Sequence, residues 1–114
     1  MAFTRVAAID AVPVGTPTHV EVDGRPVCLV RFDEHTVKAV HDVCSHQEYP
    51  LHEGFVDDNE IECALHGSTF DLDTGAPQGL PAVRPVPVYA AKIDGDDVYV
   101  DVGDQRNDAP VPRH

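Results

Sequence analysis

Cys44-Ser45-His46 is answered further along the chain by Cys63-Ala64-Leu65-His66, and the fold is read outward from this pair. In pattern form it is Cys-x-His, sixteen intervening residues, then Cys-x-x-His. Each short stretch offers one thiolate and one imidazole. Soft thiolates combined with borderline imidazoles suit zinc or an iron–sulfur cluster. Residue types alone leave both open.

The spacing helps decide between them. A structural zinc site usually draws two cysteines from one turn and two histidines from another. Here each stretch is mixed, which suits a two-metal site whose cysteines share one iron and whose histidines share the other. On these residues the chain resembles a Rieske-type ferredoxin. The resemblance runs from about Phe3 to Val102. It rests on Cys44-Ser45-His46, Pro50-Leu51, Gly54, Cys63-Ala64-Leu65-His66-Gly67-Ser68-Thr69-Phe70-Asp71, Thr74-Gly75 and Pro81-Ala82. It implies one [2Fe-2S] cluster per chain. Cys44 and Cys63 would bind one iron, His46 and His66 the other, and electrons would pass through the histidine edge.

The chain of 114 residues is the size of one domain. It carries 8 basic and 20 acidic residues, a net charge of -12, which argues against nucleic acid or an anionic membrane as partner. The plain reading of this acidity is solubility; the sharper one is a partner with a basic docking face. Three cysteines do not make a disulfide framework. No apolar run approaches a membrane span, and Met1-Ala2-Phe3-Thr4-Arg5 has no signal-peptide pattern. The expectation is a soluble, cytoplasmic monomer.

In chain order, Thr4–Ala8 reads as a strand and Asp10–Gly15 as a turn. The alternation His19-Val20-Glu21-Val22, then Asp23-Gly24, then Pro26–Val30 is a hairpin. Asp33-Glu34-His35 reads as another turn, and Val37–Val43 as the strand that delivers Cys44. Gly54–Val56 and Ile61–Cys63 form a second hairpin around Asp57-Asp58-Asn59. Ser68–Asp71 leads away from the second motif, and the proline-bearing stretch from Ala76 to Pro87 reads as a long loop. Val88–Ile93 and Asp97–Val102 flank Asp94-Gly95-Asp96 as the last hairpin. Short strands joined by Gly, Asp and Pro turns predict an all-β fold. The resemblance implies its details: a three-sheet antiparallel β-sandwich base with a small cluster-binding subdomain inserted at about residues 42–70. Residues 1–102 make up the Rieske domain and 103–114 a flexible tail.

Cys28 shares a strand face with Val30 and reads as a core thiol. His19, His35 and His114 read as surface or tail residues. His41 is expected to pack against the loops, and His52 to support the cluster rim or a docking face. Pro50-Leu51, Leu65 and Leu80-Pro81 read as apolar cover for the cluster. Gly67, next to a ligand, allows a positive φ or a backbone N–H approach to sulfur. One stretch departs from the family: Gln47-Glu48-Tyr49 stands where oxygenase-type ferredoxins carry small residues. That leaves the docking partner open.

The resemblance implies an electron carrier, not an enzyme. The donor would be a flavin-dependent NAD(P)H reductase and the acceptor a non-haem iron oxygenase of the ring-hydroxylating type. The chain lacks the length for a mononuclear-iron domain. The alternatives are a Rieske-type accessory protein of iron–sulfur assembly, a structural zinc module, and a ligand-free regulatory subunit like those of some nitrite reductases. High-potential relatives have an extra cysteine in each motif and a Ser and a Tyr after the second. Here Tyr49 and Leu65 occupy the cysteine positions, Ser68 is kept, and Phe70 replaces the tyrosine. The expectation is a low potential.

Overall fold

The computed structural model describes residues 3–33, 36–43, 50–64, 69–78 and 85–107. The strands are β1 (Thr4–Ala8), β2 (Thr18–Val22), β3 (Arg25–Arg31), β4 (Val37–His41), β5 (Phe55–Asp57), β6 (Glu60–Glu62), β7 (Thr69–Asp71), β8 (Val88–Asp94) and β9 (Asp97–Gln105). There is no α-helix among the described residues. Two 3-10 turns, Ile9–Ala11 and Leu51–Glu53, are the only helical turns there.

Strand formation follows the period-2 pattern on the residues that turn chemistry leaves between breakers. The β2–β3 turn puts Asp23 at φ 52° and Gly24 at φ 80°. This left-handed pair matches the twist of the flanking strands and pins Val22 opposite Arg25. Between β5 and β6 a single left-handed residue, Asp58 at φ 53°, turns the chain.

Two antiparallel sheets result. The larger has the order β1-β9-β8-β4-β3-β2, and the smaller β5-β6-β7. The base, expected as three sheets, is therefore one continuous six-stranded sheet among the described residues. Register shifts between Arg5 and Ala7, and between Tyr89 and Ala90, bend it. Its edge strands β1 and β2 come close to one another. One curled sheet thus supplies facing layers.

β3 is buried on both faces, and this organises the interior. Val27 and Leu29 face one core with Val12, Val22, Ala39, Tyr89, Val98 and Val100. Cys28 and Val30 face the other, with Val40, Leu51, Ile61, Cys63, Phe70, Leu72, Val86 and Val88. The first core lies inside the curl of the base. The second joins the base to the small sheet. Lys38 on β4 reinforces that junction: its Nζ lies 2.7 Å from Asp73 and donates to Asn59 Oδ1.

Two boundaries differ from the sequence reading. β4 ends at His41, not Val43: the His41 N–H still bonds to Pro87 O and the Asp42 N–H to Pro26 O, in register, but neither proline has an N–H to return, so the ladder stops there. At the other end β9 runs on to Gln105, into the stretch expected as tail. Gln105 pairs with Tyr89, and Asn107 then bonds three backbone groups. These contacts hold residues 103–107 against the body. Residues 108–114 lie outside the described residues.

Candidate metal centre

Of the four expected ligands, Cys63 is described. Cys44, His46 and His66 lie outside the described residues, as do Gln47, Glu48, Tyr49, Leu65, Gly67, Ser68, Leu80 and Pro81. What the structure shows is how the flanks of those positions are held. Val40 and Leu51 lie on either side of the first motif, Ile61 and Phe70 on either side of the second, and Val86 near the end of the proline-bearing stretch. All five side chains belong to one buried cluster. Three chain segments far apart in sequence are thus brought to one place by a shared apolar core.

Cys63 follows β6 directly and is 1% exposed. Its neighbours in the core are apolar, with Leu51, Ile61 and Phe70 fully buried. A soft donor in an apolar wall suits an iron–sulfur group, because low exposure shields the sulfur from water and tunes its potential. The expected donor set of two thiolates and two imidazoles fits the same group. The backbone around Cys63 is tightly set. Gly54 lies so close to Glu62, the residue before Cys63, that a Cβ on Gly54 would sit 1.8 Å from the Glu62 carbonyl oxygen. Only glycine permits this approach.

The chain on both sides of the first motif is tied by a residue the sequence reading treated only as a boundary. The side chain of Asp42 is 1% exposed. Its Oδ1 accepts the backbone N–H of His52 at 2.7 Å. Its Oδ2 accepts Nδ1–H from both His19, at 2.6 Å, and His52, at 2.5 Å. His19, read as a surface residue, is therefore part of a buried-carboxylate bracket. The one available signal was the position of Asp42, two residues before Cys44. His52, expected at the cluster rim or a docking face, is bonded to Asp42 through both its backbone N–H and its ring. His41 packs inward, 1% exposed, with Nδ1 3.0 Å from the Tyr89 hydroxyl.

Cys28 lies in the shared core at 0% exposure, as expected of a structural thiol. Burial, and next the nearby Asp42 carboxylate, push its thiol well above the ordinary range. It is held as a neutral thiol. Phe70 is fully buried in the same core. Pro77 bridges to Phe70, and Asn107 Nδ2 donates to Thr74 O at 2.8 Å and Val86 O at 2.7 Å, which fixes both ends of the proline-bearing stretch.

Comparison with known proteins agrees with this architecture. The family model of the Rieske [2Fe-2S] domain matches residues 2–90. The biphenyl dioxygenase ferredoxin subunit of Pseudomonas sp. (strain KKS102) is 36% identical over 102 residues, covering 89% of this chain and 93% of that protein. The ferredoxin of carbazole 1,9a-dioxygenase from Nocardioides aromaticivorans IC177 superposes with a TM-score of 0.82 at 41% identity, covering 88% of this chain and 97% of that one. A chain from a complex of reduced oxygenase and oxidized ferredoxin in carbazole 1,9a-dioxygenase gives 0.80 at 31% identity, over 90% and 94% of the two chains.

Proposed function

Since this chain belongs to the Rieske [2Fe-2S] domain family, with that family's two-iron cluster as its cofactor, we propose that it is the ferredoxin component of a multicomponent oxygenase. It is an electron-transfer protein, not a catalytic subunit. In this reading it takes single electrons from an NAD(P)H-dependent flavin reductase. It passes them to a non-haem iron oxygenase of the ring-hydroxylating type. The relatives that are ferredoxin subunits of dioxygenases support the acceptor. No helix among the described residues is long and apolar enough to cross a membrane. A cytoplasmic monomer with no nucleic-acid partner completes the proposal.

The observation that supports the site is the core shared by Cys63 and the residues flanking both motifs. We assign Cys44 and Cys63 to one iron and His46 and His66 to the other, and residues 42–70 to a cluster-binding subdomain. When bound, the cluster supplies reversible one-electron chemistry. The rest is the work of the chain. The apolar side chains of Leu51, Ile61 and Phe70 keep water from the Cys63 sulfur. Asp42 anchors the chain ahead of Cys44. Lys38 holds the small sheet to the base.

The test is spectroscopic. Purified protein should contain two irons and two acid-labile sulfides per chain and show a Rieske electron-spin resonance signal. Cys44→Ser, Cys63→Ser, His46→Ala and His66→Ala should each abolish that signal, while Cys28→Ala keeps it. An unaltered signal in His46→Ala would refute the ligand assignment. A reductase and a ring-hydroxylating oxygenase that fail to turn over with the intact ferredoxin would refute the assigned partners.

A further inference from the structure

We propose that His19, Asp42 and His52 form a second metal site, for a single divalent ion of the zinc type, separate from the cluster ligands. The three side chains arrive from different elements: β2, the residue after β4, and the 3-10 turn at 51–53. Their ligand atoms all lie within 4.8 Å of one another. The two imidazole rings lie with their centroids 5.0 Å apart, tilted by 45° to each other. Two imidazoles and one carboxylate, with further positions open, are a donor set of mononuclear zinc and non-haem iron centres.

Three features beyond proximity point to a cation. First, Asp42 is a buried carboxylate, and a buried charge is costly unless compensated. The two Nδ1–H groups compensate it here. An ion on Nδ1 of both rings would do so more fully, each ring moving its proton to Nε2. Second, a carboxylate stands behind His19 for the tautomer the ion would require. Glu21 Oε2 lies 3.7 Å from His19 Nε2, outside hydrogen-bond distance now and near enough to accept Nε2–H after a small side-chain shift. Third, a cavity of about 370 Å³ opens onto the three residues between Gly24, Val43 and Pro50. It leaves room for water ligands and an entry path. Metal–ligand bonds of about 2.0–2.2 Å in tetrahedral geometry require the present contacts to open by roughly 0.8 Å. His19 and His52 keep 36% and 30% side-chain exposure and can supply that movement.

The cluster-loaded protein, freed of loose metal by gel filtration, is titrated with zinc alone. Bound zinc, iron content and the visible spectrum are measured together. The expected result is one zinc per chain added to an unchanged iron content and spectrum. His19→Asn and His52→Asn should each weaken zinc binding about tenfold or more, and Glu21→Gln about tenfold, the scale of losing a group that supports a ligand. The idea is overturned by native protein that binds no stoichiometric zinc. It is equally overturned by zinc that bleaches the spectrum as it binds, since the ion is then taking the cluster's ligands, or by variants that bind as tightly as native. Glu21 lies at the outer rim of β2, so Glu21→Gln decides the matter if either histidine variant loses its cluster.

Discussion

Asp42 and His52 are joined twice: one carboxylate oxygen accepts the His52 backbone N–H at 2.7 Å, and the other its ring Nδ1–H at 2.5 Å. The two residues stand on either side of positions 44–49. One buried carboxylate therefore ties together the chain entering and leaving the first ligand-bearing stretch. Asp42→Ala removes a charged acceptor of three hydrogen bonds and should cost about 2–3 kcal/mol. The holoprotein should also bleach faster in the visible than native. Denaturant unfolding with timed spectra checks both, and an unchanged bleaching rate would show that the bracket does not hold the cluster.

Gly54→Ala should be more damaging than its small size implies. The new Cβ meets Glu62 backbone oxygen at 1.8 Å and carbon at 2.9 Å, and backbone cannot turn aside. Relief requires β6 to shift, and Cys63 with it. The expected loss is about 2–3 kcal/mol with lowered iron content. Gly24→Ala is the comparison: it meets open space and pays only for φ 80°, so iron content should stay at the native level.

The reduction potential should fall low in the Rieske range, at about −150 to 0 mV. Phe70 is buried in the core it shares with Cys63 and has no hydroxyl to give a sulfur. A hydrogen bond to sulfur favours the reduced, more negative cluster. Phe70→Tyr should raise the potential by about 40 mV, the equivalent of a net bond of about 1 kcal/mol in a one-electron couple. Protein-film voltammetry reads this directly. A native value above about +150 mV, in the upper half of the range, would remove the low-potential assignment and the proposed partners with it.

Electron transfer with partner proteins should slow as salt rises. The net charge is -12, and Glu53 is exposed on the turn after the first motif. Screening shortens from about 10 Å at 0.1 M salt to about 3 Å at 1 M, so steering by a basic partner face should fade over that interval. Stopped-flow rates that stay flat would favour apolar docking. Tyr49, Pro50 and Pro81 would then be the residues to substitute.

Alkali should destabilise the fold through Cys28. Burial holds its folded-state pKa above the unfolded value. The folded form keeps its proton while the unfolded chain loses one above about pH 8.5. Stability should therefore be intact below that pH and fall by about 1.4 kcal/mol per unit above it, until the folded pKa is reached. Tyr89, also raised by burial, adds to the slope above about pH 10. Urea unfolding at pH 8, 9 and 10 measures this. Cys28→Ala should be less stable at pH 8 but show a shallower slope; an equal slope would exclude the thiol as its source.

Much of the fold was legible in the residues. The Asp23-Gly24 turn, the alternation of β2 and the apolar run of β3 are local signals, and strand spans and hairpin turns are settled by local energetics. The two mixed Cys/His motifs narrowed the metal by donor type and spacing, and their resemblance to Rieske-type ferredoxins named the cofactor. Cys28 was placed correctly from strand parity alone.

The bracket of His19, Asp42 and His52 could not be read this way. Its members are separated by 23 and 10 residues, and no period links them. They meet because the pairing of β2, β3 and β4 sets the Asp42 carboxylate beside His19, and the turn at 51–53 returns His52 to it. The end of β9 is a similar case. Gly103, Asp104 and Gln105 look like the start of a polar tail, yet Gln105 finds Tyr89 and Asn107 bonds the exits of two distant loops. A polar residue's partners depend on which backbone groups tertiary packing leaves unpaired nearby. The sequence by itself determined the strands, their hairpins and the cofactor chemistry, because those follow from neighbours along the chain. Only the tertiary structure decided which polar side chains brace the cluster's flanks, because those bonds form between segments that the apolar core alone brings together.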